Sequence, residues 1–418
     1  MSASLFTNLF LVAVALTAMT RLWLARRHLV HIAAHRAEVP AAFHDRIALA
    51  AHQKAADYTS AKTRLGMLSD VFDALFLLVI TLGGGIQLLV VFWQHMLHSE
   101  IAQGIAVIAS LLALSSLLEM PFDLYKTFVV EARFGFNKMT LALYLMDTLK
   151  SLLLGVLFGF PLLYGVLWLM QRMGAYWWLY VWVVWVAFML LIQFIFPTFI
   201  APLFNKFSPL QDEALKSRIE ALLAKCGFTA SGLFVMDGSK RSTHGNAYFS
   251  GFGKTKRIVF FDTLLQRLST PEIEAVLAHE LGHFKHRHVL KRIASSFALS
   301  LLFLWLLAQL MHAEWFYTGL GVKMPETSLA TAVALLLCFM VLPVFGFLIK
   351  PLMSFYSRKH EFEADSYAAQ QTAADDLVSA LVKLYQDNAA TLTPDPLYSA
   401  FHDSHPPALV RISHLKSA

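Results

Sequence analysis

The stretch Tyr176–Pro197, YWWLYVWVVWVAFMLLIQFIFP, runs for 22 residues without a charged side chain. A helix of that length spans about 30 Å, the thickness of a bilayer's hydrocarbon core. The chain around it is of the same kind: 418 residues, 57% hydrophobic, 15% charged, with a mean hydropathy of +0.57. That is too apolar for an ordinary soluble domain and marks an integral membrane protein. Six further segments, roughly 5–24, 71–94, 101–120, 145–170, 294–312 and 329–349, come close enough in length and apolarity to bring the expected number of spans to seven. Residues 5–24 lack the basic leader of a cleavable signal peptide, with Arg21, Arg26 and Arg27 at the far end, and read as a retained span.

An odd number of spans puts 25–70, 121–144, 198–292 and 350–418 on one side. These segments hold 30 of the 34 lysines and arginines, all but Arg21, Lys150, Arg172 and Lys323. Basic residues collect on the cytoplasmic side, so the N-terminus is expected outside and every large polar segment in the cytoplasm. The net charge of +6 is thereby a matter of topology. The basic residues form no single run, which argues against nucleic acid as a partner. Cys226 and Cys338 lie one in a polar stretch and one in an apolar span, suggesting neither a disulfide framework nor a cysteine-ligated metal. The expected division is five spans in 1–197, with cytoplasmic loops 25–70 and 121–144; a cytoplasmic α+β segment, 198–291; spans six and seven in 292–350; and a cytoplasmic helical segment, 351–418.

Within the first polar segment, Gln211 to Cys226 alternates charged and apolar residues at helical spacing and meets Gly227 as a stop. Leu233 to Met236, Ala247 to Phe249 and Arg257 to Phe261 read as short strands, with turns at Asp237-Gly238 and Gly251 to Lys254. A second helix follows, with Thr270 as its cap, Pro271 at its first position and Glu272 and Glu274 at the positive end of its dipole. It carries AVLAHELGHFKH, residues 275–286. There His279 and His283 project from one face a turn apart, and Glu280 is rotated about 100° round. Two imidazoles and one carboxylate leave zinc an open position for water, which it acidifies to a pKa of about 7. Glu280 is placed to take the proton as the water attacks a carbonyl, and to return it to the leaving amine.

A third ligand is expected from another helix. Ser357 to Asp365, SRKHEFEAD, offers Glu361, with Asp365 on the same face four residues on; Glu363 points away from that face. His286 and His288 read as solvated or dipole-facing, and His28, His31, His35, His44 and His52 as an interfacial basic face. Asp147 and Lys150 sit near a span end, spaced to pair across one turn.

HELGH at 279–283, SRKHEFEAD at 357–365, HGNAYFSGFGKTKRIVFFDTLL at 244–265, PFDLYKTFVVEARFGFNK at 121–138 and SHPPALVRI at 404–412 occur together in one chain. In these five blocks the sequence resembles the Ste-type, or type I CAAX prenyl protease, family of integral-membrane zinc metallopeptidases, over nearly its whole length. The resemblance implies an all-α multi-span membrane protein whose seven helices enclose a chamber, closed by a small α+β zinc-peptidase domain. It implies one Zn2+ per chain on His279, His283 and Glu361, with Glu280 as catalytic base and Asp365 as a second acidic group. In the family Asp365's counterpart is often described as a proton donor; partnership with a ligand histidine is the alternative. Asn246 would border the site on a strand edge where an extended substrate adds as another strand. His405 could stabilise the oxyanion, and Arg411 could hold a carboxylate, either a structural one or the substrate's C-terminus.

The implied partners are the lipid bilayer and a peptide or protein substrate, C-terminally prenylated in the family's best-known case. A quality-control protease for membrane proteins and a non-catalytic zinc-containing membrane factor are the alternatives. The intact Glu280 argues against the latter, since structural zinc needs no base. The chain ends Leu415-Lys-Ser-Ala418 without a lysine retrieval signal, from which a bacterial inner membrane is expected rather than the endoplasmic reticulum.

Overall fold

The computed structural model describes residues 1–250 and 257–417; the turn expected at Gly251 to Lys254 lies outside them. Among the described residues, six helical stretches are long and apolar enough to cross a membrane: Ala3–His35, Glu100–Glu131, Leu141–Arg172, Gly174–Phe204, His288–Leu310 and Leu329–Gln371. The other expected span, 71–94, is not one helix. Leu49–Ile80 and Gly85–Met96 meet at a bend of 49°. The cause is Gly83-Gly84-Gly85, where Gly84 takes a φ of +83° that a side chain would oppose. Broken backbone at membrane depth must be covered by protein. Gly321 supplies the cover, so close that a Cβ there would lie 2.8 Å from Leu82 Cα and from the Thr81 carbonyl oxygen.

The long helices are α1 (Ala3–His35), α2 (Leu49–Ile80), α3 (Gly85–Met96), α4 (Glu100–Tyr125), α5 (Leu141–Arg172) and α6 (Trp177–Ile195). The polar domain adds α7 (Glu213–Lys225) and α8 (Thr270–Lys285), and α9 (His288–Leu310) and α10 (Leu329–Gly346) complete the spans. After them come α11 (Lys350–Gln371), α12 (Ala374–Asp387), α13 (Pro396–His402) and α14 (Ala408–Ser417). Neighbours pack in a ring: α2 and α3 on α4 through α3, then α4 on α5, α5 on α6, α6 on α9, α9 on α10, α10 on α1, and α1 on α2.

Packing within that ring is uneven. Buried residues of α4 stop at Leu111, those of α5 begin at Val166, α6 has only Trp177 and Val181, and α9 beyond His288 has only Leu304 and Leu307. Every one lies toward the end remote from the polar domain, where Phe10, Ile86, Leu167, Tyr317 and the buried run Leu329 to Cys338 share one core. Nearer the polar domain these four helices bury few side chains.

The two polar segments form one domain with one core, in which Ile219, Phe260, Leu277 and Leu281 of the first meet Tyr367, Leu381 and Ile412 of the second. The expected loop 25–70 is largely helix, the ends of α1 and α2, and its connector contributes Val39, Phe43 and Ile47 to the same core. Two of its histidines are therefore not on an interfacial face. His28 stacks on Tyr398 at 4.0 Å, and His52 Nε2 sits 2.8 Å from the His35 carbonyl oxygen. Asp147 and Lys150 do pair across one turn, at 4.0 Å, though Asp147 has a closer partner in Arg241, at 2.8 Å, and Lys150 also donates to the Leu203 carbonyl.

The sheet comprises β1 (Phe207–Pro209), β2 (Gly232–Met236), β3 (Ala247–Ser250) and β4 (Arg257–Phe261), in the order β1-β2-β4-β3. Parallel β2 and β4 are its centre, antiparallel β1 and β3 its edges. Strand β1 was not evident in the sequence, because three residues ending in Pro209 carry no period. Helix α8 starts one residue earlier than expected. Ser269, not Thr270, is the cap and exchanges hydrogen bonds with Glu272 in a capping box. Glu272 also accepts from Ser379 and Lys383, both at 2.7 Å, tying α8 to α12.

Helix α8 crosses α11 with Gly282 against backbone: an added Cβ would stand 2.8 Å from Ala364 Cα and 3.0 Å from its carbonyl oxygen. In Gly282→Ala the gain in helix propensity, about 1 kcal/mol, is set against overpacking of about 1–3 kcal/mol. The variant is expected to melt at lower temperature in a thermal-shift assay; an unchanged or higher Tm would mean the crossing yields freely.

Candidate active site

Four side chains meet where α8 and α11 cross. His279 and His283 lie on adjacent turns of α8, and Glu361 and Asp365 on adjacent turns of α11. His279 Nε2 is 3.2 Å from His283 Nε2 and 3.5 Å from Glu361 Oε2, and His283 Nε2 is 3.4 Å from Glu361 Oε1. Asp365, 0% exposed, lies 2.8 Å from His279 Nδ1 and accepts its proton. Nε2 of that ring is thereby left with its lone pair. Arg411, on α14 and 6% exposed, clamps the same carboxylate through Nε at 2.9 Å and Nη2 at 2.5 Å. Its Nη1 stands 3.7 Å from Glu361 Oε2.

The donor set suits a zinc ion. Tetrahedral bonds of about 2.0–2.1 Å put neighbouring ligand atoms roughly 3.3 Å apart, and the observed separations are 3.2, 3.4 and 3.5 Å. Among the described residues, Glu361 Oε2 is buried with no hydrogen-bond partner, the mark of an acceptor that expects a cation. Burial works to lower the pKa of His279, but the neighbouring Asp365 and Glu361 carboxylates prevail and raise it.

These groups open onto a cleft of about 630 Å³ whose lining includes Glu280, Glu361, His405, Asn246 and Arg411. His405 Nε2 is 3.5 Å from Glu361 Oε1, and its Nδ1 is 3.1 Å from Ser404 Oγ, which can donate to it and leave Nε2–H facing the cleft. Asn246 directly precedes edge strand β3; its carbonyl accepts from Phe261 N–H at 3.0 Å. Phe249 of β3 meets Phe284 of α8 edge to face, with centroids 4.9 Å apart, so strand and helix are locked together. The strap before β3 is held by His244, bonded to Asn388 at 3.0 Å and facing Glu131 at 3.6 Å; Glu131 in turn accepts from Tyr58 at 2.5 Å. Lys62 and Ala390 line both this cleft and a neighbouring cavity of about 520 Å³ bounded by Arg21, Asp70 and Tyr398.

His288 departs from its expected place. His288 is 5% exposed and not solvated: its Nδ1 lies 3.0 Å from His283 Nδ1, and its Nε2 lies 2.8 Å from Glu363 Oε2. The signal hidden in the sequence was the clustering of His283, His286 and His288; what it lacked was the helix break at Arg287, φ +57°.

Comparison with known proteins gives a consistent set of relatives. Residues 28–206 match the family model described as CAAX prenyl protease N-terminal, five membrane helices, and residues 209–418 match Peptidase family M48. The CAAX prenyl protease 1 homolog of Oryza sativa is 38% identical over 322 residues, 77% of this chain and 75% of that one. CAAX prenyl protease 1 of Saccharomyces cerevisiae is 38% identical over 336 residues, 77% and 73% of the two chains. The crystal structure of S. mikatae Ste24p superposes with a TM-score of 0.89 at 32% identity, covering 98% of this chain and 99% of that one.

Removing the carboxylate that fixes His279 tests the geometry directly. Asp365→Asn keeps the shape but can no longer answer His279 and the Arg411 charge together, and zinc affinity measured by chelator competition should fall about 10–100-fold. Wild-type affinity in a folded Asp365→Asn variant would contradict the arrangement.

Proposed function

Because this chain belongs to peptidase family M48, and is an integral-membrane metallopeptidase of the CAAX prenyl protease type, we propose that it cleaves peptide bonds near the C-terminus of prenylated proteins, at one zinc ion held by His279, His283 and Glu361. The observation that carries this reading is the convergence of those three donors within 3.2–3.5 Å, in a cleft shared with Glu280 and bordered by the edge of the sheet.

When bound, zinc supplies Lewis acidity, making water nucleophilic near neutral pH and polarising the scissile carbonyl. The chain's own groups do the rest. An extended substrate lies along β3, whose outer edge offers main-chain hydrogen bonds, and Asn246 fixes its register. Glu280 takes the proton of the attacking water and hands it to the leaving amine. His405 Nε2–H stabilises the oxyanion as negative charge develops. Asp365 holds His279 in the tautomer that presents Nε2, and Arg411 holds Asp365. Asp365 is wholly buried, and Arg411, though part of the cleft lining, has its Nε and Nη2 committed to Asp365. The charge asymmetry of the polar segments supports a site on the cytoplasmic face and an N-terminus on the opposite one.

A farnesylated CAAX peptide and its unprenylated twin, offered to zinc-loaded protein, test the substrate. Faster cleavage of the farnesylated peptide is expected, with loss of about 10³-fold or more in Glu280→Ala, where both proton transfers go. Equal cleavage of both peptides would sink prenyl specificity. Separately, Glu361→Ala should purify with little zinc, and a full complement there would remove Glu361 from the ligand set.

A further inference from the structure

The residues Arg287, His288, His360 and Glu363 have no part in the reaction as described, yet they are built with care. Arg287 sits in the left-handed region, φ +57°, which for a non-glycine residue costs about 1–2 kcal/mol. Were the helix to continue straight, a residue five positions beyond His283 would be turned about 140° away from it. The break instead folds His288 back, so that the two Nδ1 atoms lie 3.0 Å apart. His360 stacks on the His288 ring at 3.9 Å, with planes within 13°, and Tyr356 braces His360 edge to face at 4.3 Å. On its far side His288 Nε2 meets Glu363 Oε2 at 2.8 Å.

A carboxylate can only accept, so the proton shared with Glu363 belongs to His288 Nε2. His288 Nδ1 is then a lone pair, and the proton between the two histidines belongs to His283 Nδ1. That leaves the lone pair of His283 on Nε2, the atom facing His279 and Glu361. We propose that His288 and Glu363 are positioning residues: a carboxylate–imidazole relay that fixes the tautomer and plane of His283 from behind, as Asp365 does for His279 directly. The inference rests on the reading of His283 as a zinc ligand.

The same three side chains, His288, His360 and Glu363, lie close enough to hold a cation themselves. The two uses exclude one another. A cation on His288 Nε2 would put that ring's proton on Nδ1, facing His283 Nδ1. His283 would then carry its own proton on Nε2 and could not ligate. Stacked imidazoles also aim their lone pairs side by side, whereas a metal needs them to converge.

The experiment measures zinc affinity by chelator competition, and the visible spectrum after cobalt substitution, on full-length wild type, His283→Ala, His288→Leu, His288→Asn and Glu363→Ala. His288→Leu should bind zinc about 10–100-fold more weakly with an altered cobalt spectrum. His288→Asn, whose amide oxygen can accept from His283, should recover most of that loss, which a role in packing alone would not give. Glu363→Ala should weaken binding less, since water can reach that end of the relay. Wild-type affinity in His288→Leu and Glu363→Ala, while His283→Ala loses zinc, would overturn the relay and leave the ligand assignment standing. Wild-type affinity in His283→Ala would overturn the ligand assignment itself. Two zinc ions per wild-type chain, one of them lost in His288→Leu, would make the cluster a metal site and refute the relay. If His288→Leu does not fold, the Asn and Glu363 variants decide alone.

Discussion

The contact of Gly282 with the backbone of Ala364 is the constraint on which the site depends. Two helices that touch through a glycine approach more closely than side chains allow, and only at that distance can short donors on both reach one point. His279 and His283 flank the contact on one helix, Glu361 and Asp365 on the other. Each pair is spaced by four residues, so each presents two groups on one face, and the crossing turns two one-dimensional patterns into a three-dimensional cage. The capping box at Ser269 and the Glu272 bonds to Ser379 and Lys383 hold the far end of α8, which keeps the crossing from sliding.

Charge explains why so polar a cluster tolerates burial. With neutral imidazoles, Asp365 and Glu361 bring two negative charges and Arg411 one positive. An isolated buried charge is expensive, and the single charge left over has no answer among the described side chains. A divalent cation reverses the sign of the balance within that buried cluster, and the Glu280 carboxylate in the same cleft lining offsets the remainder. Arg411 is in this view part of the wall, and its value lies in keeping Asp365 ionised and aimed at His279.

What could be read from the sequence was what repeats or obeys spacing. The apolar segments, the charge asymmetry of the loops, the helix stop at Gly227, three strands and the His279/His283 pair all follow from local pattern. So does the candidacy of Glu361 and Asp365, although their meeting with α8 came from resemblance, because no spacing rule joins residues 78 apart. What could not be read depends on backbone breaks. Gly83 to Gly85 bends the second span by 49°, and the left-handed turn at Arg287 converts His288 from an apparently solvated residue into a partner of His283. A helical wheel carried across either break points every following side chain the wrong way. His28 and His52 depart from an interfacial face for a related reason: the segment 25–70 is largely the ends of two packed helices and not a loop.

The uneven packing of the membrane helices bears on how the cleft is reached. Only 11%, 6% and 11% of the apolar stretches of α5, α6 and α9 are buried, far less than the stripe a helix in a solid bundle would bury. Such a helix has two uncovered sides, and lipid can account for one. Asp73 on α2 and Glu119 and Asp123 on α4 are exposed, and because a carboxylate facing hydrocarbon is costly these positions call for polar surroundings. Buried side chains of α4, α5, α6 and α9 gather at the end remote from the polar domain, so the cleft lies at the less tightly packed end of the bundle.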